Sequence, residues 1–377
     1  MCIRKPRICF ISESEATYGL LADPCCEAAG GAELQQVLLA SALLKLGYKV
    51  TFLVADYGQP SKVVTEQGIT LIRTRRLFEQ RRGLLELADL LRLLRAMSAA
   101  GADIYYQRTS APVTGIAAAY CRLRRRPFVF SVAHDLEVTG SLGLYVDPRY
   151  QRLYRYGLRH ASVVVVQTQQ QLRLLKESTG RDSVLIRSTF SPPDESELRA
   201  TRQHILWVGS FRAVKHPETF LELAAGLPEH RFVMVGGPGP GEEQLYEVIR
   251  EKAGPIPNLY LTGPVPHKDV GRYFSEAFAF VNTSSSEGFP NTYLQAWCRG
   301  VPVVGTFDPD EVISKYDLGR HCASTDELRA AIRDLMADEE HRKAIGERAV
   351  RYVKEHHSAD AVTAQYDGLF TRLHRPK

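Results

Sequence analysis

The chain has 377 residues, more than one hydrophobic core usually fills, so two domains of roughly 150–200 residues each are expected. Hydrophobic residues make up 44%, ample for globular cores, and a formal charge of +5 favours anionic partners (phosphates, nucleotides, an acidic membrane surface) without selecting one. Seven cysteines form no CxxC pair and no His/Cys metal spacing, no signal-peptide core follows Met1–Arg7, and no 18 apolar residues run together, which together point to a reduced, cytoplasmic chain.

From Arg7 onward, short β-branched or aromatic runs alternate with helical periodicity. The expected order is strand Ile8–Ser12, helix Glu33–Leu46, strands Lys49–Ala55 and Ile69–Arg73, helix Gly83–Ala99, strand Asp103–Gln107, helix Pro112–Leu123 and strand Phe128–Val132. Helix Arg149–Arg159, strand Ser162–Gln167, helix Gln169–Ser178 and strand Ser183–Arg187 complete the first half. Such alternation implies parallel strands joined by crossover helices. The polar stretch Ser188–Gln203, rich in Ser, Pro and Glu, reads as an interdomain connector. The pattern then restarts with strand Ile205–Val208, helix Pro217–Gly226, strand Arg231–Val235, helix Glu242–Lys252, strand Asn258–Leu261, helix Lys268–Glu276 and strand Ala277–Val281. A loop and a helix near Asn291 lead to strand Val301–Val304, and three helical patterns follow Thr325. The expected fold is two Rossmann-like α/β domains, residues 1–190 and 200–358, with parallel sheets facing across a cleft and a last helix, 359–377, crossing back to the first.

Arginines cluster at 73, 75, 76, 81 and 82 and at 122 and 124–126. Charge runs usually solvate a surface; the functional alternative is docking on an anionic membrane, helped by the leucine-rich helix Leu84–Leu94. No aromatic residues interleave with these arginines, so nucleic acid is not an expected partner.

Four constellations lie where ligands bind open α/β sheets, at strand carboxyl ends. Gly30-Gly31-Ala32-Glu33 opens the first long helix; its glycines permit positive φ and amide approach to an anion, or simply form a tight turn with Glu33 as cap. Gly209-Ser210-Phe211-Arg212 and Lys215 follow the first strand of the second half and suit a diphosphate, although surface cations in a loop are individually commoner. His134 and Asp135 end strand Phe128–Val132. Finally, Glu287-Gly288-Phe289-Pro290-Asn291-Thr292 runs into a helix for which Asn291 is the expected cap, with Gln295 one turn further; the amides of Gly288–Thr292 form an anion cradle. The glycine run Gly236–Gly241 lacks the GxGxxG spacing, and Pro238 and Pro240 remove donors, so it reads as a flexible cleft wall. Asp308-Pro309-Asp310 reads as a turn rather than a metal site, and no hydrolase triad is visible.

Taken together, Gly30–Glu33, Val208–Lys215, the glycine turn after Val235, Asn258–Gly263 and Glu287–Asn291 resemble the family 4 retaining glycosyltransferases of the GT-B fold, over nearly the whole chain. The resemblance implies a nucleotide-sugar donor held by the second domain and an acceptor held by the first. It implies that Glu287 bonds donor-sugar hydroxyls, Gln295 the ribose and Lys215 the diphosphate. Amides around Gly31 and Gly288–Thr292 would surround phosphates and sugar, Pro264-Val265 would border the base, and His134 would meet the transferring sugar. Gly30, Gly209, Ser210, Arg212 and Gly237 complete the implied donor pocket. No metal and no cofactor are implied, and the donor is a UDP- or GDP-sugar. The acceptor is a glycan, a lipid-linked sugar or a small molecule, in cell-surface polysaccharide or glycoconjugate synthesis.

Two residues depart from the family pattern: Gln295 stands where a second Glu is usual, and Ser210 where Arg is usual, leaving Arg212 as substitute cation. An amide still bonds a ribose diol. These departures keep a nucleotide-sugar-binding protein without turnover in view, beside an epimerase of the same architecture; a dehydrogenase lacks its glycine fingerprint.

Overall fold

The computed structural model describes residues 4–23, 30–75, 84–139, 148–190, 193, 198 and 200–374. The chain divides into two compact units, Met1–Thr189 with Ala359–Lys377, and Phe190–Ser358.

The first unit is built on β1 (Arg7–Ile11), β2 (Lys49–Val54), β3 (Lys62–Val64), β4 (Thr70–Arg73), β5 (Ile104–Arg108), β6 (Phe128–Ser131), β7 (Val163–Val166) and β8 (Val184–Leu185). They lie in the order β3-β4-β2-β1-β5-β6-β7-β8, parallel except for the β3–β4 pair. Side chains alternate across a strand, so β1 sends Cys9 and Ile11 to one face and Ile8 and Phe10 to the other. Because both faces are covered, the strands read as continuous apolar runs. On the first face, helices Leu84–Ala100, Val113–Leu123 and Pro148–His160 contribute to the core. The second is covered by helix Gly31–Lys45 and by the closing helix Ala359–His374, which brings Val362, Tyr366, Leu369 and Phe370 against Phe10, Phe52 and Tyr106. Asp367 fixes that helix further, accepting from Lys5 Nζ and Tyr48 Oη.

The second unit repeats the plan with β9 (His204–Val208), β10 (Phe232–Val235), β11 (Leu259–Leu261), β12 (Ala277–Asn282), β13 (Val303–Gly305) and β14 (Gly319–His321), all parallel in the order β11-β10-β9-β12-β13-β14. The order reverses between β9 and β12, and in the first unit between β1 and β5. At such a switch point the loops leave in opposite directions and open a crevice beyond the strand carboxyl ends.

Several short elements were not expected. β3 and β14 are three residues each and carry Lys62, Arg320 and His321, so no apolar run announces them; helices Glu15–Ala22 and Leu136–Thr139 are also additional. Of the expected connector, residues 191–192, 194–197 and 199 lie outside the described residues, as do Cys2, Cys25, Cys26, Arg76, Arg81 and Arg82. The four described cysteines are free and buried. Among the described residues no helix is long and apolar enough to cross a membrane.

His204 is buried at the start of β9, where its Nε2 donates to the Tyr273 carbonyl at 3.0 Å. Burial, with nearby Arg231 and Arg202, pushes its pKa down to about 4. The unfolded chain protonates His204 below about pH 6.5 while the folded chain resists until about pH 4, so stability falls with pH across that window by about 1.4 kcal/mol per unit. His204→Gln keeps a donor for Tyr273 and removes the titration. Urea unfolding should therefore show the wild type losing about 2 kcal/mol more than the variant between pH 6.5 and 5; equal losses would contradict the assignment.

Candidate active site

Two loops define the site in the second unit, one leaving β9 and one leaving β12, on either side of the switch point. After β9, Ala213–Lys215 forms a single 3-10 turn, and His216 takes φ 43°, the left-handed region, before helix Pro217–Gly226. A non-glycine residue there is uncommon and persists only when its surroundings hold it. The second loop does so: Ser285 N donates to the Val214 carbonyl at 3.0 Å, and Thr283 Oγ1 to the Lys215 carbonyl at 2.5 Å. Trp207 Nε1 donates to the same Thr283 hydroxyl at 3.1 Å.

This lacing brings Lys215 Nζ to 2.6 Å from Glu287 Oε1, although the residues are 72 positions apart. Ser284 Oγ donates to that same oxygen at 2.7 Å. The two side chains are only 21% and 16% exposed, so the pair is screened less than a surface ion pair. An ammonium has three donors. One is committed to Glu287, and a bound phosphate can take another without breaking the pair.

The glycine run after β10 differs from the expected flexible wall. Phe211 N donates to the Gly237 carbonyl and Gly239 N to the Phe211 carbonyl, both at 2.9 Å, so the run is stitched to the loop carrying Ser210 and Arg212. Gly236 takes φ 147°, and a Cβ there would lie 1.9 Å from the Gly209 carbonyl oxygen. Gly237 is packed against Pro264, whose neighbour Val265 is half-buried. A Cβ on Gly209 would meet Lys215 Cδ at 3.2 Å. Ser210 is half-buried and Arg212 exposed, its aliphatic stem over Gly239.

After Glu287 the chain buries Gly288, Phe289 and Pro290 and enters helix Asn291–Trp297. Asn291 is not the cap: Pro290 holds that position in extended backbone, and Asn291 is the first helical residue. Phe289 packs its ring at 4.8 Å from His357 and 6.3 Å from Trp297, so its side chain is a core anchor that fixes the turn. Asn291 and Thr292 are half-buried. Gln295 is 9% exposed, and its side-chain amide has no hydrogen-bond partner among the described residues. Asp308 accepts from Ile313 N, Ser314 N and Ser314 Oγ, which makes it a helix cap at a turn. Among the described residues no three His, Cys, Asp or Glu side chains gather as a metal group would require.

Gly30, Gly31 and His134 belong to the first unit. Gly30 precedes helix Gly31–Lys45 with φ −142°, not the positive φ the glycine pair would permit; the Glu33 carboxylate lies where a Cβ would be. His134 Nδ1 accepts from Leu136 N at 3.1 Å, which leaves the ring proton of the neutral form on Nε2. Sequence reasoning missed two buried groups nearby. Arg108, at the end of β5, donates to Ser131 Oγ, Gln167 Oε1 and Ser188 Oγ, all neutral partners. Glu137 is 2% exposed and accepts from Thr109 Oγ1, Ser110 N and Ala133 N. Burial pushes its carboxyl above the ordinary range, against the pull of those bonds and of His134. Neither residue carries a local sequence signal, because their partners come from several separate strand ends and loops.

Comparison with known proteins agrees with this layout. Residues 192–352 match the family described as glycosyl transferases group 1, and residues 30–187 match a glycosyl transferase 4-like domain. N-acetyl-alpha-D-glucosaminyl L-malate synthase of Bacillus anthracis is 22% identical over 260 residues, 63% of this chain and 65% of that protein. The chain spans 48% and 65% of the lengths of two curated relatives it matches. Among solved structures, sucrose-phosphate synthase from Thermosynechococcus elongatus superposes with a TM-score of 0.77 at 18% identity, covering 97% of this chain and 98% of that one. HepE of Anabaena, solved in complex with UDP-glucose, gives 0.75 at 16%, covering 97% and 100%. At these identities the superpositions show a shared fold, that of the GT-B glycosyltransferases.

The stitched glycine run gives a stability test. Gly236→Ala drives a Cβ into a carbonyl oxygen and should lower the stability of the second unit by about 3 kcal/mol. Gly241→Ala meets open space at φ 77° and should cost about 1 kcal/mol. Thermal melts of the two variants should separate accordingly; equal melting temperatures would contradict the stitching.

Proposed function

Because the chain belongs to the group 1 glycosyltransferases, with a 4-like first domain, we propose that it moves a sugar with retention from a nucleoside-diphosphate sugar to a hydroxyl acceptor. The observation that carries this reading is the Lys215–Glu287 pair, laced across the β9/β12 switch point and largely withdrawn from water.

Breaking the bond between the anomeric carbon and the phosphate oxygen leaves the electron pair, and growing negative charge, on the diphosphate. Lys215, aided by Arg212, stabilises that charge more in the transition state than in the bound donor. Glu287 orients sugar hydroxyls, and its bond to Lys215 couples sugar position to phosphate position. Gln295, buried and unpartnered, offers its amide to the ribose, while Gly237 and Pro264-Val265 line the base. Gly209, Ser210 and the Gly288–Thr292 backbone complete the second unit's part of this proposal, and Gly30, Gly31 and His134 are the first unit's proposed contributors, the glycines toward phosphate and His134 toward the transferring sugar. The acceptor oxygen bonds to the anomeric carbon on the face the diphosphate leaves, and a donor phosphate oxygen takes its proton, so no carboxylate base is needed. In this proposal the charge work falls to side-chain cations, without a metal.

A UDP- or GDP-sugar is the proposed donor; the UDP-glucose bound to Anabaena HepE supports the uridine form. The proposed acceptor is a lipid-linked or polysaccharide sugar, handled in the cytoplasm at the inner face of the plasma membrane. Supporting the membrane component, helix Leu84–Ala100 leaves Leu85, Leu87 and Leu91 exposed. Leu123, 82% exposed, stands between Arg122 and Arg124, and the neighbouring helix Pro148–His160 carries Arg149, Arg152, Arg155 and Arg159 with no acidic residue.

Two experiments test these readings. A thermal-shift screen of nucleotide sugars should identify a stabilising donor, and with it Lys215→Ala and Glu287→Ala should each lower transfer at least about a hundredfold in folded protein. Near-normal turnover in both would remove the site assignment. Conversion of the nucleotide sugar without acceptor would point to an epimerase, and binding without transfer over an acceptor panel to an idle binder. For the membrane component, the protein should sediment with anionic but not neutral vesicles at low salt, and Leu123→Glu should weaken this; equal sedimentation with both would count against it.

A further inference from the structure

We propose that Glu137 is a positioning residue, whose buried carboxylate holds His134 and the turn at Thr109 in one fixed arrangement on the acceptor side of the reaction. The inference rests on the glycosyltransferase reading. It concerns residues for which neither the motifs nor the comparisons supply a role.

Two unfavourable features meet at the carboxyl ends of β5 and β6. The first is Glu137 itself: among the described residues no lysine or arginine pairs with it, and burying a carboxylate without a cation is costly. The second is Thr109, which takes φ 68°. For a β-branched residue that conformation is a true outlier, and the fold over-determines it. Thr109 N donates to the Ser131 carbonyl at 3.0 Å, its Oγ1 to Glu137 Oε1 at 2.7 Å, and the next amide, Ser110 N, to the same oxygen at 3.1 Å.

The other carboxylate oxygen works on the histidine loop. Glu137 Oε2 accepts from Ala133 N at 2.9 Å, and the Ala133 carbonyl accepts from Gln167 Nε2 at 2.8 Å. On the far side of His134, Asp135 Oδ1 accepts from Gln171 Nε2 at 2.9 Å. His134 is thus pinned on both flanks, and its Nδ1 is occupied by Leu136 N from the helix that carries Glu137. Tyr154 Oη donates to the Glu137 carbonyl at 2.9 Å and anchors that helix to helix Pro148–His160. One carboxylate therefore ties together the loops after two adjacent strands. A protein selected for stability alone would place glycine at 109 and an uncharged group at 137; the retained costs mark the arrangement as serving the reaction.

The test uses Thr109→Gly, Thr109→Ser and Glu137→Gln in the full chain. Thr109→Gly relieves the backbone strain while removing the hydroxyl bond to Glu137, so it should still unfold cooperatively and keep the donor KM, yet kcat should fall about tenfold or more. Thr109→Ser keeps the hydroxyl and should restore most of the rate. Glu137→Gln sets an amide donor against the Ala133 N–H or gives up a bond to Thr109, and should lower kcat likewise without altering donor-induced thermal stabilisation. Independently of turnover, nitrogen NMR of ¹⁵N-histidine protein should show His134 with its proton on Nε2 in the wild type and mixed tautomers in Glu137→Gln. Full kcat in Thr109→Gly, an equal loss in Thr109→Ser, or an unchanged His134 tautomer in Glu137→Gln would each overturn the proposal. A wild type that stabilises with donor but transfers nothing would instead defeat the glycosyltransferase reading, and the tautomer measurement would then decide the role of Glu137 alone.

Discussion

The Lys215–Glu287 ion pair is the contact around which the second unit's working edge is arranged. It exists because β9 and β12 are neighbours in the sheet and the Thr283–Lys215 and Ser285–Val214 bonds draw their outgoing loops together across the switch point. Everything nearby serves to hold the two loops in register: the Trp207–Thr283–Lys215 relay, the Ser285–Val214 bond, and the hydroxyl of Ser284 on the carboxylate. The packing continues into the stitched glycine run, because Gly209 lies against the Lys215 stem and its carbonyl against Gly236.

The first unit solves the same problem differently. Its equivalent edge is organised by a buried carboxylate, Glu137, among neutral donors and a buried cation, Arg108, among neutral acceptors, with no ion pair between the two among the described residues. Fixed dipoles replace countercharge. Such an environment costs stability and rewards geometry, whereas the second unit's ion pair suits a ligand that carries charge of its own.

Much of this architecture was legible in the order of residues. Parallel strands buried on both faces leave unbroken apolar runs, and β1, β2, β5, β6, β7, β9, β10 and β12 were each visible that way. Lys215, Glu287 and His134 stood out as members of motifs. What stayed hidden was what depends on contact between distant segments. The 72-residue span between Lys215 and Glu287 contains no hint that they touch. Glu137 follows His-Asp-Leu and looks like an ordinary polar residue of a short helix; only Thr109 and Ala133, from two different loops, reveal it as buried. The cap of helix Asn291–Trp297 was misplaced by one residue because Asn is the better capping side chain, while the buried Pro290 turn and Phe289 packing decided the actual start. β3 and β14 escaped because three residues with charged side chains carry no periodicity.

The closing helix Ala359–His374 has a consequence for the order in which the protein is made. One face of the first sheet, with Phe10, Phe52 and Tyr106, is roofed in part by Val362, Tyr366, Leu369 and Phe370, which leave the ribosome only after all of Phe190–Ser358. At usual elongation rates that delay is roughly 10–30 s. During it the contiguous second unit has every residue it needs, while the first waits with an uncovered aromatic seam. The part of the chain synthesised first therefore completes its core last, and until Tyr366 and Phe370 arrive the seam remains exposed apolar surface.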